Sequence, residues 1–128
     1  MGWNSQRTIE YINSVGPEIL IVSSGDIDKW QNPDLDISSI FKIVNEAKAK
    51  NKIFVGTQGS VTPDWIFKSC KTDFVVRGEP EITCLELVKN ILGNHPDFKN
   101  NEGLSWREDD NIFNNPDRTF DNNLSEYP

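Results

Sequence analysis

Three short segments hold the residues whose types and spacing could do chemistry: Ser23-Ser24-Gly25-Asp26, Gly56-Thr57-Gln58-Gly59-Ser60 and Arg77-Gly78-Glu79. Each follows a dense apolar run. Each offers what a bound ligand needs, namely hydroxyls, a carboxamide and glycines that let a ligand come close to backbone N–H groups. Any one glycine in such a place only ends a strand; three segments of the same kind point to a shared ligand face. Arg77-Gly78-Glu79-Pro80-Glu81 carries the most information, because Arg77 and Glu79 flank a glycine at a strand-to-helix turn, where an Arg77–Glu79 ion pair could brace the loop and Gly78 needs a positive φ.

Other chemistry is poorly supplied. No GxGxxG follows a strand and no P-loop is present, so dinucleotide and nucleoside triphosphate readings lack their fingerprints. Cys70, Cys84 and the single His95 are scattered, whereas a zinc or iron centre needs three or four converging ligands. Cys84 reads as a core residue, Cys70 as a bystander, and His95 as a helix C-terminal residue complementing the dipole. A Ser-His-Asp arrangement would need that histidine at the strand ends.

The elements that must position these segments are legible from hydrophobic pattern. Ile19–Val22, Ile53–Val55 and Phe74–Val76 are short, continuous, β-branched or aromatic runs, as in parallel strands buried on both faces. Helices fill the intervals: one from about Ser5 to Ser14 with Ile9, Ile12 and Val15 on one side, and one through Ile37, Ile40, Phe41, Val44 and Ala47 with Ser38 as N-cap. Two more start at Thr62-Pro63-Asp64 and at Gly78-Glu79-Pro80-Glu81, the last leading through Ile82, Leu85, Val88 and Leu92 on a broad apolar face. Alternation of this kind predicts an α/β fold, a Rossmann or flavodoxin-like parallel sheet with flanking helices, in which ligands bind outside the carboxyl ends of the strands. Leu104–Arg107 and Asn111–Asn114 flank a polar turn and predict a hairpin, with extended linker from Asn115 onward.

A chain of 128 residues suits one domain able to bury about two-thirds of its unfolded surface. The formal charge of −7 is uneven: −2 over residues 1–100 and −5 over residues 101–128. The division expected from this is an α/β part over 1–99 and an acidic hairpin and linker over 100–128. The acidic balance excludes a nucleic-acid binder, which would need clustered Lys and Arg. No apolar run reaches the ~20 residues that span a bilayer, no signal peptide opens the chain, and two cysteines exclude a disulfide framework, so a cytoplasmic setting is expected.

Phe54-Val55-Gly56-Thr57-Gln58-Gly59-Ser60-Val61-Thr62-Pro63 and Asp73-Phe74-Val75-Val76-Arg77-Gly78-Glu79-Pro80-Glu81-Ile82-Thr83 resemble the second half of the cobalamin-binding domain of B12-dependent radical SAM proteins, in the subgroup like magnesium-protoporphyrin IX monomethyl ester oxidative cyclase. Gly103–Arg107, Asn115–Arg118 and Leu124–Pro128 resemble the stretch joining that domain to the radical SAM barrel, and the likeness runs from about Tyr11 to Pro128. The resemblance implies a cobalamin over the strand ends, with Ser23, Ser24, Gly56, Thr57, Gln58, Gly59, Arg77, Gly78 and Glu79 as the contacting set. It implies a radical SAM catalytic domain in cis as partner, which would hold a [4Fe–4S] cluster and S-adenosylmethionine. The Cys-x-x-x-Cys-x-x-Cys motif for such a cluster is not in this sequence, so catalysis by this chain alone is not expected.

The family's opening strand, first helix and second strand have no counterpart here, so the chain is expected to be an N-terminally truncated fragment. The Asp-x-His-x-x-Gly loop is absent, and Gly56-Thr57 stands where relatives carry Gly-Gly. Two alternatives follow. One is a degenerate module that docks a catalytic barrel without a cofactor. The other is a receiver-like signalling domain, with Asp26 and Asp28 as its acids and Arg77 poorly replacing its lysine. Loss of a first strand would also leave Ile19–Val22 as an uncharged sheet edge, relieved either by the hairpin folding over it or by a homodimer through that strand.

Overall fold

The computed structural model describes residues 4–25, 37–94 and 96–119. Helix α1 (Ser5–Val15) starts where the Asn4 side chain accepts a hydrogen bond from the Arg7 N–H at 2.9 Å and stops at Gly16 in the left-handed conformation. Strand β1 (Ile19–Ser23) follows, then α2 (Ser38–Glu46), β2 (Asn51–Val55), α3 (Thr57–Val61), α4 (Pro63–Ser69), β3 (Phe74–Val76), α5 (Pro80–Leu92), β4 (Leu104–Glu108) and β5 (Asn111–Asn114). The strands lie in the order β1-β2-β3-β4-β5. β1, β2 and β3 run parallel, and the β4–β5 hairpin adds antiparallel to β3.

The expected α/β architecture is present. Alternate residues of the central strands feed two cores: Phe54 and Val75 pack with Val44, Ile66 and Phe67 of α2 and α4, whereas Ile53, Val55, Phe74 and Val76 pack with Leu87 of α5. This is the double burial that continuous apolar strands require.

The hairpin does not turn back over β1. It closes the opposite side of the sheet, where Leu104 and Trp106 are buried in the α5-side core. Trp106 stacks on Phe113, with ring centroids 5.2 Å apart. On the other face Arg107 lies over the Phe67 ring at 5.4 Å and donates to the carbonyls of Phe67 and Cys70, satisfying acceptors at the end of α4.

Several local expectations are corrected. Ser38 is the first residue of α2 and Ile37 its N-cap, with no side-chain hydrogen bond. Cys70 is no bystander; it is 5% exposed in the α4-side core, while Cys84 is half-buried at the margin of the other. The buried stripe of α5 is Thr83, Cys84, Leu87, Val88 and Ile91, and Leu85 and Leu92 face solvent. The difference arises because a single helix packed on a sheet buries one stripe, so the rest of a broad apolar face stays outside. His95, Asp26, Asp28 and Leu124–Pro128 lie outside the described residues.

Candidate functional site

Parallel alignment brings the ends of β1, β2 and β3 to one edge of the sheet, and with them the three segments singled out above. A network of short polar contacts stitches them together. The Ser24 N–H donates to the Val55 carbonyl at 3.0 Å, and the Ser24 hydroxyl donates to the same oxygen at 3.5 Å while accepting from the Gln58 N–H at 3.4 Å. The Ser60 hydroxyl donates to the Gly56 carbonyl at 3.1 Å and accepts the Gly78 N–H at 2.9 Å. One serine thus ties the β1 end to the β2 end, and the other ties the β2 end to the β3 end.

The small residues after β2 predict a loop there. The segment is a turn of helix, α3, preceded by Gly56 at φ +108°. A Cβ at Gly56 would stand 2.6 Å from the Ser24 hydroxyl oxygen and 3.0 Å from the Gly25 nitrogen, so only glycine allows the two loops to approach this closely. Gly59 serves packing: a Cβ there would meet Val75 at 2.9 Å and Phe54 at 3.2 Å, so its bare backbone seats α3 on the sheet. Gln58 and Thr62 bond to each other within the same turn, at 2.8 Å between their side chains.

The candidate residues therefore divide by position. Ser23, Gly25, Thr57, Gly78 and Glu79 are exposed on the strand-end face. Ser24 and Gly59 are buried beneath it, and Gly56, Gln58, Ser60 and Arg77 are half-buried between. Gly78, at φ +75° with no atom within 4 Å of an added Cβ, adopts the expected left-handed turn and leaves its surface open.

Arg77 does not pair with Glu79. Its guanidinium donates to the Asp117 carboxylate and the Asn115 carbonyl, and Glu79 sits at the N-cap of α5 without a side-chain cap bond. The reason is the segment after β5, which crosses beside the β3–α5 turn. Gly103 N–H donates to the Pro116 carbonyl at 2.8 Å, and the Asn115 side chain donates to the Phe98 and Asn101 carbonyls at 2.7 and 2.8 Å. Arg118 closes the strap by donating to Thr83 Oγ1 at 2.9 Å and to the Glu86 carboxylate. Ser60 stands within its segment yet outside the expected contacting set, and Asn115–Arg118 falls in the expected linker. A hydroxyl four residues beyond Gly56 is a helix-turn signal for Ser60; the strap leaves no short-range pattern because its partners are 11 to 40 residues away in sequence.

What this face can do chemically is bind. Among the described residues it offers hydroxyls, exposed glycine backbone and the Glu79 carboxylate. Among the described residues no three His, Cys, Asp or Glu side chains converge as metal ligands. Also among them, no helix is long and apolar enough to cross a membrane.

No family model matches the sequence. The chain is similar to an uncharacterized methyltransferase of Pyrococcus horikoshii, 29% identical over 136 aligned residues that take in 96% of this chain and 29% of the relative. The chain thus spans about three-tenths of the length of the curated relative it matches.

Proposed function

We propose that this chain is the cofactor-binding part of a methyltransferase-type protein and that its strand-end face takes a cobalamin. The single observation that carries the reading is the convergence of three glycine- and hydroxyl-bearing segments, locked together by Ser24 and Ser60, at the carboxyl end of a parallel sheet. The methyltransferase name of the relative and the Arg77–Glu81 block that resembles B12-dependent radical SAM proteins support it.

The donor set fits such a group. Exposed hydroxyls of Ser23 and Thr57 and bare backbone at Gly25 and Gly78 suit a large, neutral ligand rimmed by amides, which needs many weak donors and acceptors and close backbone approach. When bound, a cobalamin supplies methyl carriage. The chain's own residues bind and orient it: Ser24 and Ser60 fix the spacing of the loops, and Gly56 keeps the β1 and β2 ends in contact. In this reading a radical SAM catalytic domain is the partner in cis, and the [4Fe–4S] cluster and S-adenosylmethionine belong to that domain.

Titration of the chain with hydroxocobalamin, followed by visible absorption, tests the reading. The expected result is a saturable spectral shift that is lost in Gly25→Phe. A Cβ at Gly25 meets only the Ser23 hydroxyl, at 3.5 Å, and an unchanged circular dichroism spectrum of the variant assigns the loss to the blocked face. A flat titration at high micromolar cobalamin overturns cofactor binding and favours a module that docks a catalytic domain without a ligand.

A further inference from the structure

The turn between β3 and α5 is held from two sides, and each side uses a hydroxyl that joins two segments through one atom. On the strand-end face, the Ser60 hydroxyl donates to the Gly56 carbonyl and accepts the Gly78 N–H, at 3.1 and 2.9 Å. Behind the turn, the Thr83 hydroxyl in α5 donates to the Glu102 carbonyl at 3.0 Å and accepts from Arg118 Nε at 2.9 Å.

Gly103 lies between the two sides. Its carbonyl accepts the Arg77 N–H and its own N–H donates to the Pro116 carbonyl, both at 2.8 Å. It is buried, with φ at +76°. A Cβ there would stand 3.0 Å from the Arg77 carbonyl oxygen and 3.1 Å from Thr83 Oγ1, so only bare backbone fits between the end of β3 and the first turn of α5. The bonds therefore run from Pro116 through Gly103 to Arg77, and from the adjoining Gly78 through Ser60 to Gly56.

The strap side of this path is made of buried polar groups. Thr83, Asn101 and Asn115 are 0, 2 and 9% exposed. The Asn101 side chain donates to the Thr83 carbonyl and accepts from Arg118, both at 3.2 Å, and the Asn115 side chain donates to the Asn101 carbonyl. A buried polar group that loses its partner carries the full cost of its desolvation, so such a set gives up its bonds together.

We propose that the strap Asn115–Arg118 is a positioning element of the strand-end face, with Gly103 and Arg118 as positioning residues. Strap and β3–α5 turn open as one cooperative unit, and occupancy of the face and closure of the strap stabilise each other. That a ligand occupies the face rests on the function proposed above; the coupling of strap to turn does not.

Native-state amide hydrogen exchange of the whole chain in low urea tests it. The Gly78 and Gly103 amides are expected to share one opening free energy and one urea dependence, below those of Ile53 and Phe54, which are fully buried in the centre of the sheet. Two different values overturn the coupling. A value shared with Ile53 and Phe54 overturns it too, because it marks unfolding of the whole domain. Arg118→Ala is expected to speed exchange about fivefold or more at Gly78 as well as at Gly103, and acceleration confined to Gly103 overturns the proposal. If that variant does not fold, Ser60→Ala replaces it, and an unchanged Gly103 rate is then the overturning result. Hydroxocobalamin separates the two readings. Saturable binding is expected to slow exchange at Gly103, and saturable binding without that slowing overturns the coupling alone. A flat titration overturns the cofactor reading and leaves the ligand-free exchange to decide the coupling.

Discussion

Gly56 and Gly78 both hold positive φ, at +108° and +75°, but for different reasons, and substitution separates them. At Gly78 an added side chain meets open space and only the backbone is strained, so Gly78→Asn is expected to cost little, while Gly78→Val costs about 1–2 kcal/mol. At Gly56 any Cβ also strikes Ser24 and the Gly25 backbone, so both Gly56→Asn and Gly56→Ala are expected to cost more, on the order of 2–3 kcal/mol. Thermal melts of the set check the order. Glu79→Gln is expected to lower the melting point only slightly, since an exposed carboxylate at a helix start gains about 0.3–1 kcal/mol from the dipole. Burial pushes the thiols of Cys70 and Cys84 above their ordinary range, with a nearby Glu81 adding to the effect at Cys84. In the unfolded chain these thiols ionise at the ordinary value. Their contribution is therefore full below about pH 8.5 and is lost as pH rises toward the folded values. Urea midpoints are expected to fall above that pH, and to fall less in Cys70→Ala relative to its own value at pH 7.

At the scale of elements, the strap from Asn115 to Arg118 decides how the β3–α5 turn is held. Arg77 grips it from the strand end, and the strap's own Arg118 grips Thr83 and Glu86 of α5. The two grips are unequal. Asp117 is 83% exposed, and an ion pair reaching a solvated carboxylate contributes about 0–1 kcal/mol. Arg118 bonds the hydroxyl of fully buried Thr83, so its removal costs about 1–3 kcal/mol. Arg118→Ala is therefore expected to lower the urea midpoint clearly and Asp117→Ala barely; a larger effect of Asp117→Ala would mean that the Arg77 grip dominates. The short helix α3 belongs to the same scale. It exists because Gly59 lets it lie against Val75 and Phe54, and it carries Ser60 to the Gly78 N–H.

Across the whole molecule, the acidic C-terminal stretch contributes to the core that the apolar segments before it begin. Leu104 is fully buried and Trp106 is 6% exposed on the β3 side of the sheet. Burying such side chains stabilises by about 1.5–3 kcal/mol each, against a total of about 5–15 kcal/mol for a domain. A chain ending at Asn100 is therefore expected to lose its cooperative thermal transition. A sharp melt in that truncated chain would show that residues 1–100 fold without the hairpin.

The sequence by itself determined the strands, the longer helices and the face they share. Continuous apolar runs at Ile19–Val22, Ile53–Val55 and Phe74–Val76 mark strands because only double burial rewards them, and the small residues after each run mark the strand-end face. Pro63 and Pro80 mark helix starts because a missing N–H costs nothing there. Contacts between distant residues were decided by tertiary structure. Which edge the hairpin joins, which stripe of α5 is buried and which acid meets Arg77 depend on groups brought together from up to 40 residues apart. Local periodicity reports a residue's neighbours within a turn or two, and those contacts lie beyond its range.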